Sequence, residues 1–143
     1  MQLLFEDKYS LAHIEAVARL VLEKAPFVKI FLFDAPLGGG KTTLIKSLLS
    51  ILEGKDFACF VSSPTFTIVQ VYCGKQEYYH IDTYRLESVD ELEYLGIDTY
   101  LDGRHYCFAE WPEPLLPFIS ASYVYIQLEI LEEESRLIKV FLV

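Results

Sequence analysis

The segment FVKIFLF, residues 27–33, runs straight into DAPLGGGKTT, residues 34–43. A short, almost wholly apolar run predicts a strand buried on both faces of a sheet. Gly38, Gly39 and Gly40 then allow positive φ and close approach of an anion. A helix is expected from Thr42 to about Leu52, stopped by Gly54. Strand, glycine turn and helix in immediate succession restrict the chain to layered α/β architectures.

The spacing is that of the phosphate-binding loop G-x-x-x-x-G-K-[ST], with Ala35 in place of the opening glycine. The chemistry behind the pattern is specific. Backbone N–H groups near Gly38–Thr43 sit at a helix start, where the helix dipole adds positive potential. Lys41 contributes a point charge for outer phosphates, and the Thr42 hydroxyl can ligate Mg²⁺. Residues Leu37, Gly38, Gly39, Gly40, Lys41, Thr42 and Thr43 are therefore the nucleotide-binding candidates. Alanine at position 35 fails only if that residue needs positive φ or if its Cβ clashes. Pro36 removes one N–H at the loop's entry, away from its anion-facing end.

Elsewhere, Ser10–Lys24 predicts a helix, with Ser10 as its cap and Leu11, Ile14, Val17, Ala18 and Val21 on one face. DFACFV predicts a buried strand, interrupted by SSPTF. Phe66–Tyr72 and Glu77–Asp82 predict a hairpin around CGKQ. ESVDELEYLG predicts a short helix, with Ser88 and Glu91 as a capping box and Gly96 as its stop. HYCFAE is another apolar strand, and residues 123–130 and 136–143 predict a closing hairpin. The whole chain, 1–143, is expected to form one α/β domain: three layers, with a mixed sheet, a mainly parallel core and antiparallel hairpins.

Two apolar strands end in acids, Asp82 in YYHID and Glu110 in YCFAE. At the carboxyl ends of strands beside a phosphate loop, one acid can hold a metal and the other can orient water. His80, two residues before Asp82, suits hydrogen bonding better than proton shuttling. No guanine-recognising N-K-x-D is present, which argues against a GTPase. A small-molecule kinase normally brings several arginines to a second substrate's phosphates. The four arginines, Arg19, Arg85, Arg104 and Arg136, are scattered, which weakens that alternative without excluding it. A net charge of -9 opposes a broad nucleic-acid-binding face. Cys59, Cys73 and Cys107 show no metal-ligand spacing and read as reduced thiols. Without a signal-like N-terminus or a long apolar span, a cytoplasmic protein with no membrane contact is expected.

GGGKTT, SPTFTIVQVY, YHIDTYRLESVDELEYLGI and FAEWPE occur in the order and spacing of the bacterial TsaE (YjeE) family. The sequence resembles that family over nearly its whole length. The resemblance implies a P-loop NTPase-like fold that binds and hydrolyses ATP with Mg²⁺. It further implies support of threonylcarbamoyl transfer to tRNA adenosine by partner proteins TsaB and TsaD, with tRNA contacted only indirectly. Carried over by position, Lys41 contacts phosphates, Thr42 and Glu110 hold Mg²⁺, and Asp82 is the functionally required aspartate. Thr65 lies in the switch-like S-P-T segment near the γ-phosphate, and Trp111 sits beside the site. Ser10 and Arg136 match positions near the nucleotide. Family loops usually begin G-D-L-G, whereas this one begins A-P-L-G.

Overall fold

The computed structural model describes residues 1–58 and 67–143. Among the described residues the sheet has seven strands in the order β1-β7-β6-β2-β5-β4-β3. These are β1 (Gln2–Ser10), β2 (Ile30–Asp34), β3 (Val69–Cys73), β4 (Glu77–Asp82), β5 (Tyr106–Glu110), β6 (Tyr123–Glu132) and β7 (Ser135–Leu142). The helices are α1 (Ile14–Lys24), α2 (Lys41–Glu53), α3 (Lys55–Ala58) and α4 (Asp90–Tyr94), with 3₁₀ turns at Leu11–His13, Ile97–Tyr100 and Glu113–Phe118.

The centre of the sheet is parallel: β2 pairs with β5 and β6, and β4 with β5. Hairpin β3–β4 and the strands β6, β7 and β1 add antiparallel flanks. Strand alternation divides β2 between two cores. Phe31 and Phe33 face α1 and α2, meeting Val17, Val21, Leu44 and Leu48. Ile30 and Leu32 face the opposite layer, with Leu92 of α4, Ile97, Leu101 and Leu115. Burial on both faces explains why β2 reads as a continuous apolar run. Three layers and a mixed sheet with a parallel core are what the sequence predicts.

Several boundaries differ from that prediction. The strand expected from Phe27 begins at Ile30. Phe27 is 96% exposed, stranded outside the sheet by the turn after Pro26. Ser10 ends β1 rather than capping a helix, and α1 starts at Ile14 after a 3₁₀ turn. Residues 56–58 of DFACFV are helical, in α3, where Phe57 packs on Tyr78 with ring centroids 5.7 Å apart. The remainder of that segment, with Cys59, lies outside the described residues. The hairpin strand is expected from Phe66, which lies outside the described residues; Thr67 and Ile68 precede the strand, which begins at Val69. Its partner has the predicted bounds, as does Gly96 as the stop after α4, with φ +64°. At α4, Ser88 Oγ accepts from the Asp90 N–H at 3.2 Å and Glu91 Oε1 from the Glu87 N–H at 3.3 Å. Cys107 is buried and Cys73 exposed, both free. Among the described residues no helix is long and apolar enough to cross a membrane.

Candidate functional site

The parallel core puts the carboxyl ends of β2, β4 and β5 on one rim. Asp34 closes β2, and Asp82 and Glu110 are register partners on β4 and β5. The turn from β2 to α2 crosses this rim.

Ala35 is buried, and its backbone is not left-handed, since Trp111 is the one non-glycine with positive φ among the described residues. The opening position of the turn thus makes no demand that only glycine meets. Gly38 (φ +74°) and Gly40 (φ +95°) do adopt left-handed backbone. Arg136, buried, fastens the turn. Its Nε donates to the Gly39 carbonyl at 3.1 Å and its Nη2 to the Gly38 carbonyl at 3.2 Å. Its Nη1 donates to the carbonyls of Glu132, Glu133 and Ser135 at 3.0–3.1 Å. A single guanidinium, with its rigid fork of donors, therefore ties the β6–β7 turn to the glycine turn.

Lys41 opens α2 and is buried. Its Nζ donates to the Ala35 carbonyl at 2.8 Å and stands 3.7 Å from the centre of the Trp111 ring. Burial lowers its pKa, and the carboxylates of Glu110, Asp82 and Asp34 oppose that shift. Trp111 is held in turn by Tyr84, whose ring centroid lies 5.0 Å away, and by the Thr83 hydroxyl, which donates to the Trp111 carbonyl.

The Thr42 hydroxyl donates to Glu110 Oε1 at 3.2 Å. The other oxygen of Glu110, Oε2, lies 2.6 Å from His80 Nε2. Asp82 is half-buried, and one of its oxygens accepts from the Tyr84 N–H at 2.9 Å. Burial raises its pKa; the Tyr84 N–H opposes this, Glu110 reinforces it, and His80 and Lys41 oppose it.

Leu37, Gly38, Gly39, Gly40, Lys41, Thr42, Thr43, Asp82, Glu110, Trp111 and Arg136 all line one cleft of about 390 Å³. Leu11, Tyr84 and Arg85 complete it. Ser10 is not among the lining residues: its hydroxyl pairs with His13 Nδ1 at 2.8 Å, and its neighbour Leu11 reaches the cleft instead. Thr65 lies outside the described residues. Leu11 carries no chemical signal in the sequence. Tyr84 and Arg85 lie two and three residues after Asp82, so their place at the cleft is legible from that proximity.

A turn with left-handed glycines, a helix N-terminus and a lysine can hold an anion. A hydroxyl beside a carboxylate can hold a hard cation.

The family model described as "Threonylcarbamoyl adenosine biosynthesis protein TsaE" matches residues 9–138. The "tRNA threonylcarbamoyladenosine biosynthesis protein TsaE" of Bacillus subtilis is 40% identical over 98 residues, 68% of this chain and 59% of that protein. The Haemophilus influenzae protein of the same description is 40% identical over 101 residues, 69% of this chain and 60% of its own length. The chain thus spans about three fifths of these two relatives. The Aquifex aeolicus protein, also so described, is 32% identical over 95% of this chain and 90% of its own length. The crystal structure of Bacillus subtilis YdiB shares the fold, with a TM-score of 0.63 at 22% identity over 98% of this chain and 86% of that one. On the family match and these relatives, the chain belongs to the TsaE family.

Proposed function

We propose that this chain, acting over residues 1–143 as one ATPase domain, binds ATP with Mg²⁺ in the cleft beneath the glycine turn. It hydrolyses ATP slowly alone and faster with TsaB and TsaD, in support of threonylcarbamoyl transfer to tRNA adenosine. The observation that carries this reading is the Thr42–Glu110 hydrogen bond of 3.2 Å, made at the start of a helix whose turn also presents Lys41.

The donor set fits both groups. The glycine turn and the first turn of α2 suit phosphate oxygens. Thr42 and Glu110 offer hard oxygen donors, which suit Mg²⁺. Among the described residues no group of three or more His, Cys, Asp or Glu is arranged to hold a metal alone. A bound nucleotide would supply the remaining oxygen donors. When bound, Mg²⁺ supplies charge neutralisation at the phosphates.

The chain's own groups divide the remaining work. Lys41 leaves the Ala35 carbonyl to contact phosphate. Asp82, level with Glu110 on the adjacent strand, orients water, and Thr65 of the S-P-T segment serves the γ-phosphate. Trp111 flanks the nucleotide, and Arg136 acts by holding the turn. Ser10 is part of this reading only through its neighbours at the end of β1.

A slow intrinsic rate is expected because no arginine lies in the glycine turn itself, and an arginine supplied in trans can raise phosphoryl-transfer rates by about a thousandfold or more. Partner docking that supplies such a group would raise turnover. A net charge of -9 opposes direct contact with a phosphate backbone, so tRNA is met through TsaD, in the cytoplasm.

The test is the ATPase rate of the purified chain with and without TsaB plus TsaD, alongside tRNA binding by the chain alone at physiological salt. The reading expects slow turnover alone, acceleration by the partners and weak tRNA binding. Fast turnover alone or tight tRNA binding would overturn it. Docking without acceleration would identify a nucleotide-dependent binding module, and phosphate transfer to a metabolite would identify a kinase.

A further inference from the structure

Behind Glu110 lies a buried chain of side chains with no counterpart in the phosphate-loop pattern. His80 is fully buried, and its Nε2 lies 2.6 Å from Glu110 Oε2. Its Nδ1 lies 3.0 Å from the Tyr72 hydroxyl, which also lies 2.9 Å from Gln70 Oε1. Tyr72 and Gln70 belong to the edge strand β3, where Gln70 is the register partner of His80. The Tyr72 and His80 rings pack with centroids 5.9 Å apart.

We propose that His80 is a positioning residue: it fixes one oxygen of Glu110, so that the other is presented to Thr42 and to Mg²⁺, and Tyr72 fixes His80. This rests on the reading of Glu110 as a Mg²⁺ ligand and adds the residue that aims it.

Donor arithmetic supports the direction of the hold. An ionised carboxylate only accepts, so His80 Nε2 carries the proton and donates to Oε2. The Tyr72 hydroxyl has one proton. It lies within reach of both His80 Nδ1 and Gln70 Oε1, and Nδ1 accepts from it when the single ring proton sits on Nε2. That arrangement leaves Nε2–H directed at Glu110. Each carboxylate oxygen then has its own partner, His80 on Oε2 and Thr42 on Oε1, and the rotamer of a long side chain is set before any ligand arrives. Strand alternation places the pair: Asp82 at the end of β4 reaches the cleft, while His80, two residues earlier on the same side, reaches back to the neighbouring strand.

The test is calorimetric titration with a non-hydrolysable ATP analogue across a range of Mg²⁺ concentrations, which reads binding rather than turnover. In the parent protein, Mg²⁺ should tighten nucleotide binding. His80→Ala should raise the Mg²⁺ concentration needed by about ten- to a hundredfold, the usual cost of losing a hydrogen-bond partner behind a metal ligand. Its metal-free nucleotide affinity should be unchanged. Tyr72→Phe should shift the Mg²⁺ requirement in the same direction by less. His80→Gln, whose amide nitrogen can take the place of Nε2, should restore most of the effect. His80→Asn, one bond shorter, should not. Circular dichroism checks each variant's fold, and if His80→Ala does not fold, the comparison of Gln with Asn decides.

A parent protein without any Mg²⁺ effect would overturn the metal reading of Glu110, and this inference with it. A parent protein with the effect and an equally responsive His80→Ala variant would overturn the positioning role alone. So would Gln behaving no better than Asn.

Discussion

Ala35 fills the space beside Gly39. A Cβ placed on Gly39 would stand 2.8 Å from the Ala35 Cβ and 2.8 Å from the Pro36 carbonyl oxygen, both well inside contact distance. The turn therefore accommodates alanine at its opening position because it keeps glycine at 39. Gly39→Ala is expected to destabilise the protein by about 1–3 kcal/mol, the usual range for overpacking. Ala35→Gly should change nucleotide affinity by only a few-fold. The double change should recover part of the loss, because the Pro36 carbonyl still obstructs. Urea denaturation of the three variants checks this, and a Gly39→Ala protein as stable as its parent would contradict it.

The Lys41–Trp111 contact offers an optical readout, because Trp111 is the protein's single tryptophan. A cation 3.7 Å from the ring centre perturbs the indole, and drawing it away should alter emission. ATP with Mg²⁺ should therefore shift Trp111 fluorescence. Lys41→Met should change the starting spectrum and abolish the response. Identical spectra for parent and Lys41→Met without nucleotide would show that the ammonium does not rest on the ring.

The two acids should separate in function. Glu110 bonds Thr42, whereas Asp82 bonds the Tyr84 backbone. Glu110→Gln should weaken Mg²⁺-dependent nucleotide binding. Asp82→Asn should leave binding largely intact and reduce hydrolysis. Titrating Mg²⁺ against each variant distinguishes them, and loss of the Mg²⁺ effect in Asp82→Asn alone would reverse the assignment.

Tyr9 gives a prediction away from the cleft. Among the described residues its buried hydroxyl has no hydrogen-bond partner. Burial raises its pKa from 10.0 to about 12, against an opposing effect of Arg136. The folded state thus disfavours the phenolate more than the unfolded state does. The stability tied to this group is fully present below about pH 10 and is lost as pH rises towards about 12. Tyr9→Phe should stabilise the protein at pH 7 by about 1 kcal/mol, by removing an unsatisfied hydroxyl. It should also lose less stability than its parent across that alkaline window. Denaturation at pH 8 and pH 11 tests both, and a less stable Tyr9→Phe would mean that the hydroxyl is satisfied.

Local chemistry made the glycine turn, α2 and the strands ending at Asp82 and Glu110 legible in the sequence. Each is a short apolar run or a glycine signal whose meaning does not depend on distant residues. Strand β1 was not legible. Glu6, Asp7 and Lys8 interrupt its apolar pattern, and a register shift between Leu3 and Phe5 breaks the alternation. The buried strand expected at DFACFV is contradicted at residues 56–58, which are helical, because a run that short fits a buried helix as well as a strand. At the site, the residue types were readable but their contacts were not. Arg136 meets turn carbonyls across 97 residues of chain, and His80 meets Glu110 across 30, both through tertiary packing that no local pattern encodes. Arg85 reaches the cleft although no arginine lies in the glycine turn itself.

The central claim is that the cleft under the glycine turn holds ATP with Mg²⁺, and titration calorimetry of the purified chain with a non-hydrolysable ATP analogue tests it most directly. The account predicts one-to-one binding that Mg²⁺ strengthens and that Lys41→Ala removes, since Lys41 supplies the ammonium at the head of α2. Binding of equal strength in Lys41→Ala, or no binding by the parent protein, would contradict it.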